Sequence, residues 1–413
     1  MKIVIVTSAF PFPPGEQFLE AEIKFWGNTK FNEVILLPGS SVGEPRLVPE
    51  GIRISTKLAE DTKKYIYVIK ALLSPILFKE FRYLAKAKKI TPRNLFAAIK
   101  STAQLLKAKT NLFKFLEVSG PVDLVYTYWN SNYTYAACYA KNKYYVKKVV
   151  SRIHRFDLYE ERRAGNYMPL KRQFSSDIDK LFVLSEEAKN YCAKAYGFER
   201  NKIDISPLGV KLPVPFPPSP VDGSFSIVSV SFCVPVKRID KIIKSIAAIA
   251  IESPDIEFKW NHIGDGPLKQ DLMNFATEQL RGLKNVRWEF LGHLKNQEVL
   301  NFLSANRIDC FVNASESEGI PVSIMEAMAV GVPAIAPNVG GIADLVTDDC
   351  GVLLSAEANV EEIVAGLKKI KQHPNPVEFK KRARQRVCER FNAELNYPKF
   401  IRILENLSLS SKK

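Results

Sequence analysis

The sequence predicts an α/β protein made of two doubly wound parallel sheets in series. Three observations carry this: short β-rich runs alternate with helical patterns in the first half, a proline-dense stretch interrupts them, and the same alternation restarts beyond it. Strands that alternate with helices pair in parallel, because each crossover helix returns the chain to the same end of the sheet. A chain of 413 residues is also too long for one ordinary core, so two domains of roughly 200 residues each are the default.

In the first half, KIVIV (Lys2–Val6), EVILLP (Glu33–Pro38), DLVYTY (Asp123–Tyr128), KKVVSRIH (Lys147–His154) and KLFVLS (Lys180–Ser185) read as buried strands. Helical patterns such as Gln17–Trp26 and Glu186–Ala195 fall between them. Six prolines between Pro207 and Pro220 can continue neither element and mark an interdomain linker. The expected boundaries are therefore 1–212 for the first domain, 213–224 for the linker and 225–392 for the second. Beyond the linker, Phe225–Ser231, Ile256–Gly264, Asn285–Gly292, Ile308–Ala314 and Val332–Pro337 are strands. Lys237–Ala250, Pro267–Leu280, Gln297–Leu303 and Pro321–Val330 are the helices between them. Open α/β sheets bind ligands at the carboxyl ends of their strands, so a cleft between two such sheets is the expected place for chemistry.

Composition excludes several classes. The six cysteines are scattered without a C-x-x-C pair, which fits reduced thiols rather than a disulfide framework or zinc site. The start MKIVIVTSAF is too short and strand-like for a signal peptide, and no long apolar run spans a bilayer, so a cytoplasmic protein is expected. The net charge of +15 is uneven: Lys63 to Lys114 holds thirteen Lys or Arg residues and one acid, Glu80. The same stretch carries Tyr65, Ile66, Val68, Ile69, Leu72, Leu73, Ile76, Leu77, Phe78 and Phe81, much of it at helical spacing. One reading is a pair of ordinary helices with buried stripes and solvated basic faces. The other, carried forward here, is an element that holds the protein peripherally on the anionic inner face of the plasma membrane, at about 1 kcal/mol per cation. No nucleic-acid motif accompanies the charge, so no nucleic-acid partner is expected.

The ligand follows from what the loops hold. The first strand leads into TSAFPFPPGEQF, with the single glycine Gly15, so neither a dinucleotide fingerprint nor a phosphate-binding P-loop is present. In the second half, Asn313-Ala314-Ser315 follows a strand and Glu318-Gly319-Ile320-Pro321 opens a helix. Pro321 suits a first helical turn, Gly319 lets a ligand approach the backbone, and the helix start favours an anion. Because Glu318 stands at the same place, the ligand must also offer donors, as a sugar phosphate does. Glu326 follows eight residues later, about two helical turns or roughly 12 Å further along the same face.

These residues resemble the retaining GT-B glycosyltransferases of glycosyltransferase family 4. The family signature is a Glu, seven residues, a second Glu, a small-residue helix, G-x-P and a G-G pair; here Glu318, Glu326, Ala327, Gly331-Val332-Pro333 and Gly340-Gly341 match it. IGDGPLKQDL, with Gly264 and Gly266, resembles the family's G-x-G-P segment, FLGHL, with His293, its base-binding strand end, and SRIHRFDLYEE its histidine after an N-domain strand. The wording of VPVKRID and HRFDLYEE is most similar to bacterial colanic-acid or exopolysaccharide assembly enzymes. The resemblance implies two Rossmann-like domains, the first completed by a last helix near 393–413, with the domains hinging. It implies transfer of a sugar from a nucleotide diphosphate sugar to a glycan or lipid-linked acceptor.

By that resemblance Glu326 binds ribose hydroxyls, where a solvated helix glutamate would be the ordinary reading. Glu318 contacts the transferred sugar, and the backbone of Gly319, Ile320 and Val322 holds sugar or phosphate oxygens. Lys237, expected at a helix start, neutralises the leaving diphosphate. The family usually has an Arg shortly before this Lys; this chain has Phe232 there, with Arg238 as a partial replacement. His154 lies by the transferred sugar, a satisfied core histidine being the alternative, and Gly15 and Glu16 lie near the diphosphate. Asp177-Ile178-Asp179 has a metal-binding form on the wrong end of its strand and reads as a turn, so no metal and no cofactor are expected. Rival readings are a sugar epimerase on the same fold, a non-catalytic subunit, and a membrane scaffold using the basic helices alone.

Overall fold

The computed structural model describes residues 1–13, 15–16, 18–60, 64–212 and 223–409. Two units result: Met1–Pro207 with Asn396–Lys413, and Leu208–Leu395. Residues 213–222 of the expected linker lie outside the described residues, as does Lys63. Leu208–Leu212, expected in the first domain, fall in the second unit. There Val210 N–H donates to Phe391 O at 2.8 Å, and Ala393 N–H to Val210 O at 3.1 Å.

The first unit holds a seven-stranded parallel sheet. Its strands are β1 (Lys2–Thr7), β2 (Glu33–Pro38), β3 (Ile52–Ile54), β4 (Val122–Thr127), β5 (Val146–Arg152), β6 (Lys180–Val183) and β7 (Ile203–Ile205), in the order β3-β2-β1-β4-β5-β6-β7. Strand alternation sends Val4 and Val6 to one face, with Leu105, Leu112 and Leu116 of the long helix Pro92–Ser119. Ile3 and Ile5 go to the other, with Trp26 and with Phe400, Ile401 and Leu404 of the last helix, Ala393–Leu409. Both faces are covered, which is why the strand sequences are apolar throughout rather than alternating. The sheet interior also holds an ion pair, Arg152 Nη1 to Glu22 Oε2 at 2.6 Å, with Arg152 over Phe400 at 4.2 Å.

The second unit holds β8 (Phe225–Val230), β9 (Phe258–Ile263), β10 (Val286–Gly292), β11 (Cys310–Val312), β12 (Ala334–Pro337) and β13 (Gly351–Leu354), all parallel, in the order β10-β9-β8-β11-β12-β13. In both sheets the order reverses beside the first strand, between β1 and β4 and between β8 and β11. Such a reversal opens a crevice at the carboxyl ends of the strands.

The basic segment forms helices Lys64–Leu72, Pro75–Lys86 and Pro92–Ser119. Ser74 and Thr91 cap the second and third by accepting the N–H groups of Ile76 and Asn94, each with proline at the first helical position. The apolar residues of this segment divide between the core and the surface. Tyr67 and Ala71 turn inward, while Tyr65, Val68, Ile69 and Leu72, at helical spacings of three, four and seven, are 61, 41, 57 and 48% exposed. Leu73 and Phe78 extend this exposed surface. Glu80 is buried, accepting from Tyr167 Oη and from Gln173 Nε2, so it does not offset the surface charge. Among the described residues, no helix is long and apolar enough to cross a membrane.

Candidate functional site

Two loops meet at the crevice of the second sheet. The loop after β8 passes through a short turn, Pro235–Lys237, and then Arg238 in the left-handed region at φ 49°. The loop after β11 runs from Asn313 to Pro321, and its Glu316 N–H donates to Val236 O at 2.9 Å, joining the two. Lys237 thereby reaches Glu318, with Nζ 2.5 Å from Oε1. Asn313 shapes the loop from below: its Oδ1 accepts Ser315 N–H at 2.9 Å, and its Nδ2 reaches Glu318 Oε1 at 3.4 Å. A buried carboxylate held by a lysine and an amide at a switch point is a polar cluster poised for hydroxyls and phosphate oxygens.

Lys237 and Arg238 are not in the helix that was expected to begin at Lys237; that helix is Ile239–Glu252. Arg238 turns away, donating to Asp240 through Nε and Nη2 at 3.0 Å and to Glu316 at 2.6 Å. Its guanidinium is thus committed within the loops. Phe232 stands exposed on the same loop.

The helical ruler between the two glutamates also fails. The helix is Val322–Ala329, so Glu318, Gly319 and Ile320 lie in the loop before it and Glu326 alone lies within it. Two glycines fix that loop instead. A Cβ on Gly340 would stand 2.0 Å from Glu318 O, and Gly341 N–H donates to Gly319 O at 2.7 Å. The G-G pair is therefore required by close backbone packing against the loop that carries Glu318.

Glu326 is buried, and Asn296 Nδ2 donates to its Oε1 at 2.5 Å. Burial pushes its carboxyl up to about 7, with the Asn296 hydrogen bond opposing. Asn296 begins the helix Asn296–Ala305 and was not singled out from the sequence, where one Asn in HLKNQE carries no distinguishing pattern.

Gly264 and Gly266 support the site from behind. A Cβ on Gly264 would come within 1.8 Å of Ser231 O, and one on Gly266 within 2.7 Å of Cys233 O. The G-x-G segment thus presses the β9 end against the loop bearing Lys237. His293 is exposed, and the nearby Asp265 is held below the ordinary carboxylate range, first by the Gly266 N–H and then by the Lys269 ammonium. His262, beneath this loop, is buried, bonded to Ser229 Oγ at 2.9 Å and pushed down to about 4 by burial, so it stays neutral.

In the first unit His154 caps the carboxyl end of β5, and its N–H donates to Asp157 Oδ1 at 2.7 Å. The ring stacks on Tyr128 at 4.6 Å and lies 4.7 Å from Trp129, with both ring nitrogens buried and without a hydrogen-bond partner among the described residues. Burial first, and the nearby Arg152 charge second, hold it well below the usual histidine range, so the imidazole is neutral. The ordinary alternative, a core histidine satisfied by backbone, does not describe this ring.

Glu16, expected near the diphosphate, is bonded within its own loop. Its carboxylate accepts the N–H groups of Ser8, Ala9 and Phe10 at 3.0, 2.7 and 2.6 Å, and the indole N–H of Trp129 at 2.6 Å. It fills the backbone nest at the switch point of the first sheet, while Gly15, at φ 87°, gives its carbonyl to Arg46. Asp177 and Asp179 serve structure: Asp179 pairs with Lys141 at 2.7 Å and accepts Val149 N–H at 2.8 Å.

Residues 215–386 match the family described as Glycosyl transferases group 1. The chain is 28% identical over 259 residues to a protein named as a colanic acid biosynthesis glycosyltransferase, WcaL, of Escherichia coli, covering 60% of this chain and 62% of that one. It is 26% identical over 226 residues to a GDP-mannose-dependent mannosyltransferase of Corynebacterium glutamicum that acts on a phosphatidylinositol monomannoside, covering 50% of this chain and 56% of that one. The chain thus spans less than two thirds of the length of these relatives. Sucrose-phosphate synthase of Thermosynechococcus elongatus shares the fold at a TM-score of 0.71 and 14% identity, covering 99% of this chain and 100% of that one. HepE of Anabaena, solved with UDP and glucose, does so at 0.65 and 16%, covering 98% and 100%. The two doubly wound units are those of the GT-B fold, and residues 215–386 are similar to the group 1 glycosyl transferases.

Proposed function

We propose that the protein transfers a sugar from a nucleoside diphosphate donor to an acceptor hydroxyl, with retention at the anomeric carbon and without a metal. The observation that carries this reading is the convergence of Lys237, Glu318 and Asn313 at the switch point of the second sheet. Glu326, with Asn296, takes the ribose hydroxyls; Glu318 and the backbone of Gly319 to Val322 take the sugar; Gly264, Gly266 and His293 border the base and diphosphate. As the glycosidic C–O bond breaks, the electron pair leaves with the diphosphate, and Lys237 stabilises that charge. The acceptor oxygen bonds the anomeric carbon on the same face, and its proton passes to the leaving phosphate oxygen. The neutral imidazole of His154, with both nitrogens buried and without a hydrogen-bond partner among the described residues, serves the hydroxyl-bearing side of the first unit.

The acceptor in this reading is a glycan or a lipid-linked one at an anionic membrane. Support comes from the outward stripe Tyr65, Val68, Ile69 and Leu72 and from the exposed cations Lys79, Arg82, Lys86 and Arg93 of the same segment. That part is tested with phosphatidylglycerol vesicles: neutralising half of these cations weakens binding at least tenfold, and unchanged binding sinks it. The transfer itself is tested by incubating the protein with radiolabelled nucleotide sugars and membrane extract. Label is expected in a glycan or lipid product, and product formation falls sharply with Lys237→Ala. Release of an epimerised sugar without any second hydroxyl substrate would favour the epimerase instead.

A further inference from the structure

A cavity lies in the first unit, away from the switch point of its sheet. The last helix, Ala393–Leu409, turns Pro398, Ile401, Arg402 and Glu405 to one side, at helical spacings of three, four and seven. The short turn Lys24–Gly27 and the residues up to Lys30 complete the lining, and the space enclosed is about 560 Å³, a volume that suits a small molecule. Lys30 stands just before β2, so the cavity lies toward the amino ends of the strands, whereas the crevice of such a sheet opens at the carboxyl ends.

The charges of the lining do not balance. Lys24, Lys30 and Arg402 bring three positive charges and Glu405 one negative charge, which leaves a net +2. The three cations are exposed, and Arg402 Nε donates to Pro398 O at 3.3 Å, which holds its guanidinium along the helix. Glu405 is buried. Its Oε1 accepts Lys30 N–H at 2.7 Å, and a carboxylate has room for about four such bonds. The apolar part of the lining is Ile401, which is buried, and Phe25, whose ring is held against Tyr397 at 5.7 Å. A bare phosphate would satisfy the cations and meet the like charge of Glu405. A hydroxyl next to the phosphate replaces that repulsion with a charge-assisted hydrogen bond, and the C–H face of a ring covers the apolar part.

We propose that this cavity binds a hydroxylated ring carrying a phosphate, with the phosphate on Lys24, Lys30 and Arg402 and a ring hydroxyl donating to Glu405. The inference does not use the transferase reading, and its residues are separate from Lys237, Glu318 and Glu326. A free sugar phosphate and an inositol phospholipid head group share this chemistry. The test is isothermal titration of the full chain with glucose 6-phosphate, myo-inositol 1-phosphate and inorganic phosphate, beside flotation with phosphatidylinositol or phosphatidylglycerol vesicles. At least one ring phosphate, free or lipid-borne, is expected to bind more tightly than inorganic phosphate or phosphatidylglycerol. Combining Lys24→Gln with Arg402→Gln weakens that binding about tenfold or more, the scale of one charge-assisted hydrogen bond. Melting temperature and UDP or GDP affinity stay unchanged in this double variant, because both side chains are exposed and lie outside the donor site. Preference for phosphatidylinositol over the equally charged phosphatidylglycerol marks the head group as the ligand; binding of the soluble phosphates without that preference marks the free sugar phosphate. Equal affinity for inorganic phosphate, an adventitious ion only, overturns the site. So does undiminished binding in the double variant, or no binding in either arm. Displacement of the ring phosphate by UDP or GDP also overturns it, because the ligand then occupies the donor site of the second unit.

Discussion

Replacing Glu326 by Gln removes a charge that the second unit buries with no cation among the described residues bonded to it. The carboxyl rises from an ordinary 4.5 to about 7, chiefly through burial, and Asn296 Nδ2 offsets part of it. The raised folded value sets the sign: stability is fully present below pH 4.5 and is lost as pH rises through about 7. The difference, 7 − 4.5, multiplied by about 1.4 kcal/mol per unit, gives about 3 kcal/mol lost at pH 8 and almost none at pH 4. Gln keeps an oxygen for Asn296 and carries no charge, so Glu326→Gln gains about 3 kcal/mol over the parent at pH 8. For a unit of this size that corresponds to roughly 6–12 °C in melting temperature. Differential scanning calorimetry at pH 4.5 and pH 8 reads the difference directly. An equal melting shift at both pH values, or a less stable Glu326→Gln at pH 8, refutes the reasoning.

Other perturbations follow from single contacts. Arg152→Met strands the buried Glu22 carboxylate and is expected to cost about 3–5 kcal/mol in denaturant unfolding, with most of it recovered by adding Glu22→Gln. Gly264→Ala forces a Cβ to within 1.8 Å of Ser231 O, destabilising the second unit by about 1–3 kcal/mol in thermal melts and weakening nucleotide binding. Lys237→Ala is expected to lower kcat about 10²–10³-fold, while Lys237→Arg retains more, as measured by nucleoside diphosphate release from nucleotide sugars.

The architecture was legible because the central strands of both sheets are buried on both faces, which turns strands such as KIVIV and EVILLP into unbroken apolar runs. Three strands escaped sequence reading: β3 and β7, of three residues each, and β13, of four, are edge strands too short to show a period. At the site, residue identity was legible and geometry was not. Spacing alone placed Glu318 and Glu326 on one helix, whereas the backbone leaves the helix before Val322, and Gly340 and Gly341 set the loop instead. Asn296 and Glu16 reach their partners through tertiary folding, Asn296 across thirty positions to Glu326 and Glu16 back to the strand end it caps. Hydrophobic spacing likewise found the helix Lys64–Leu72, yet could not tell which of its faces meets water.

Isothermal titration of the intact chain with UDP and GDP, beside Glu326→Ala, addresses donor binding most directly. Saturable binding of one of the two diphosphates is expected, weakened at least tenfold by Glu326→Ala, the scale of about 1.4 kcal/mol or more from lost ribose hydrogen bonds. Failure of both nucleotides to bind the intact protein, or equal affinity in Glu326→Ala, contradicts the assignment of this site to a nucleotide-sugar donor.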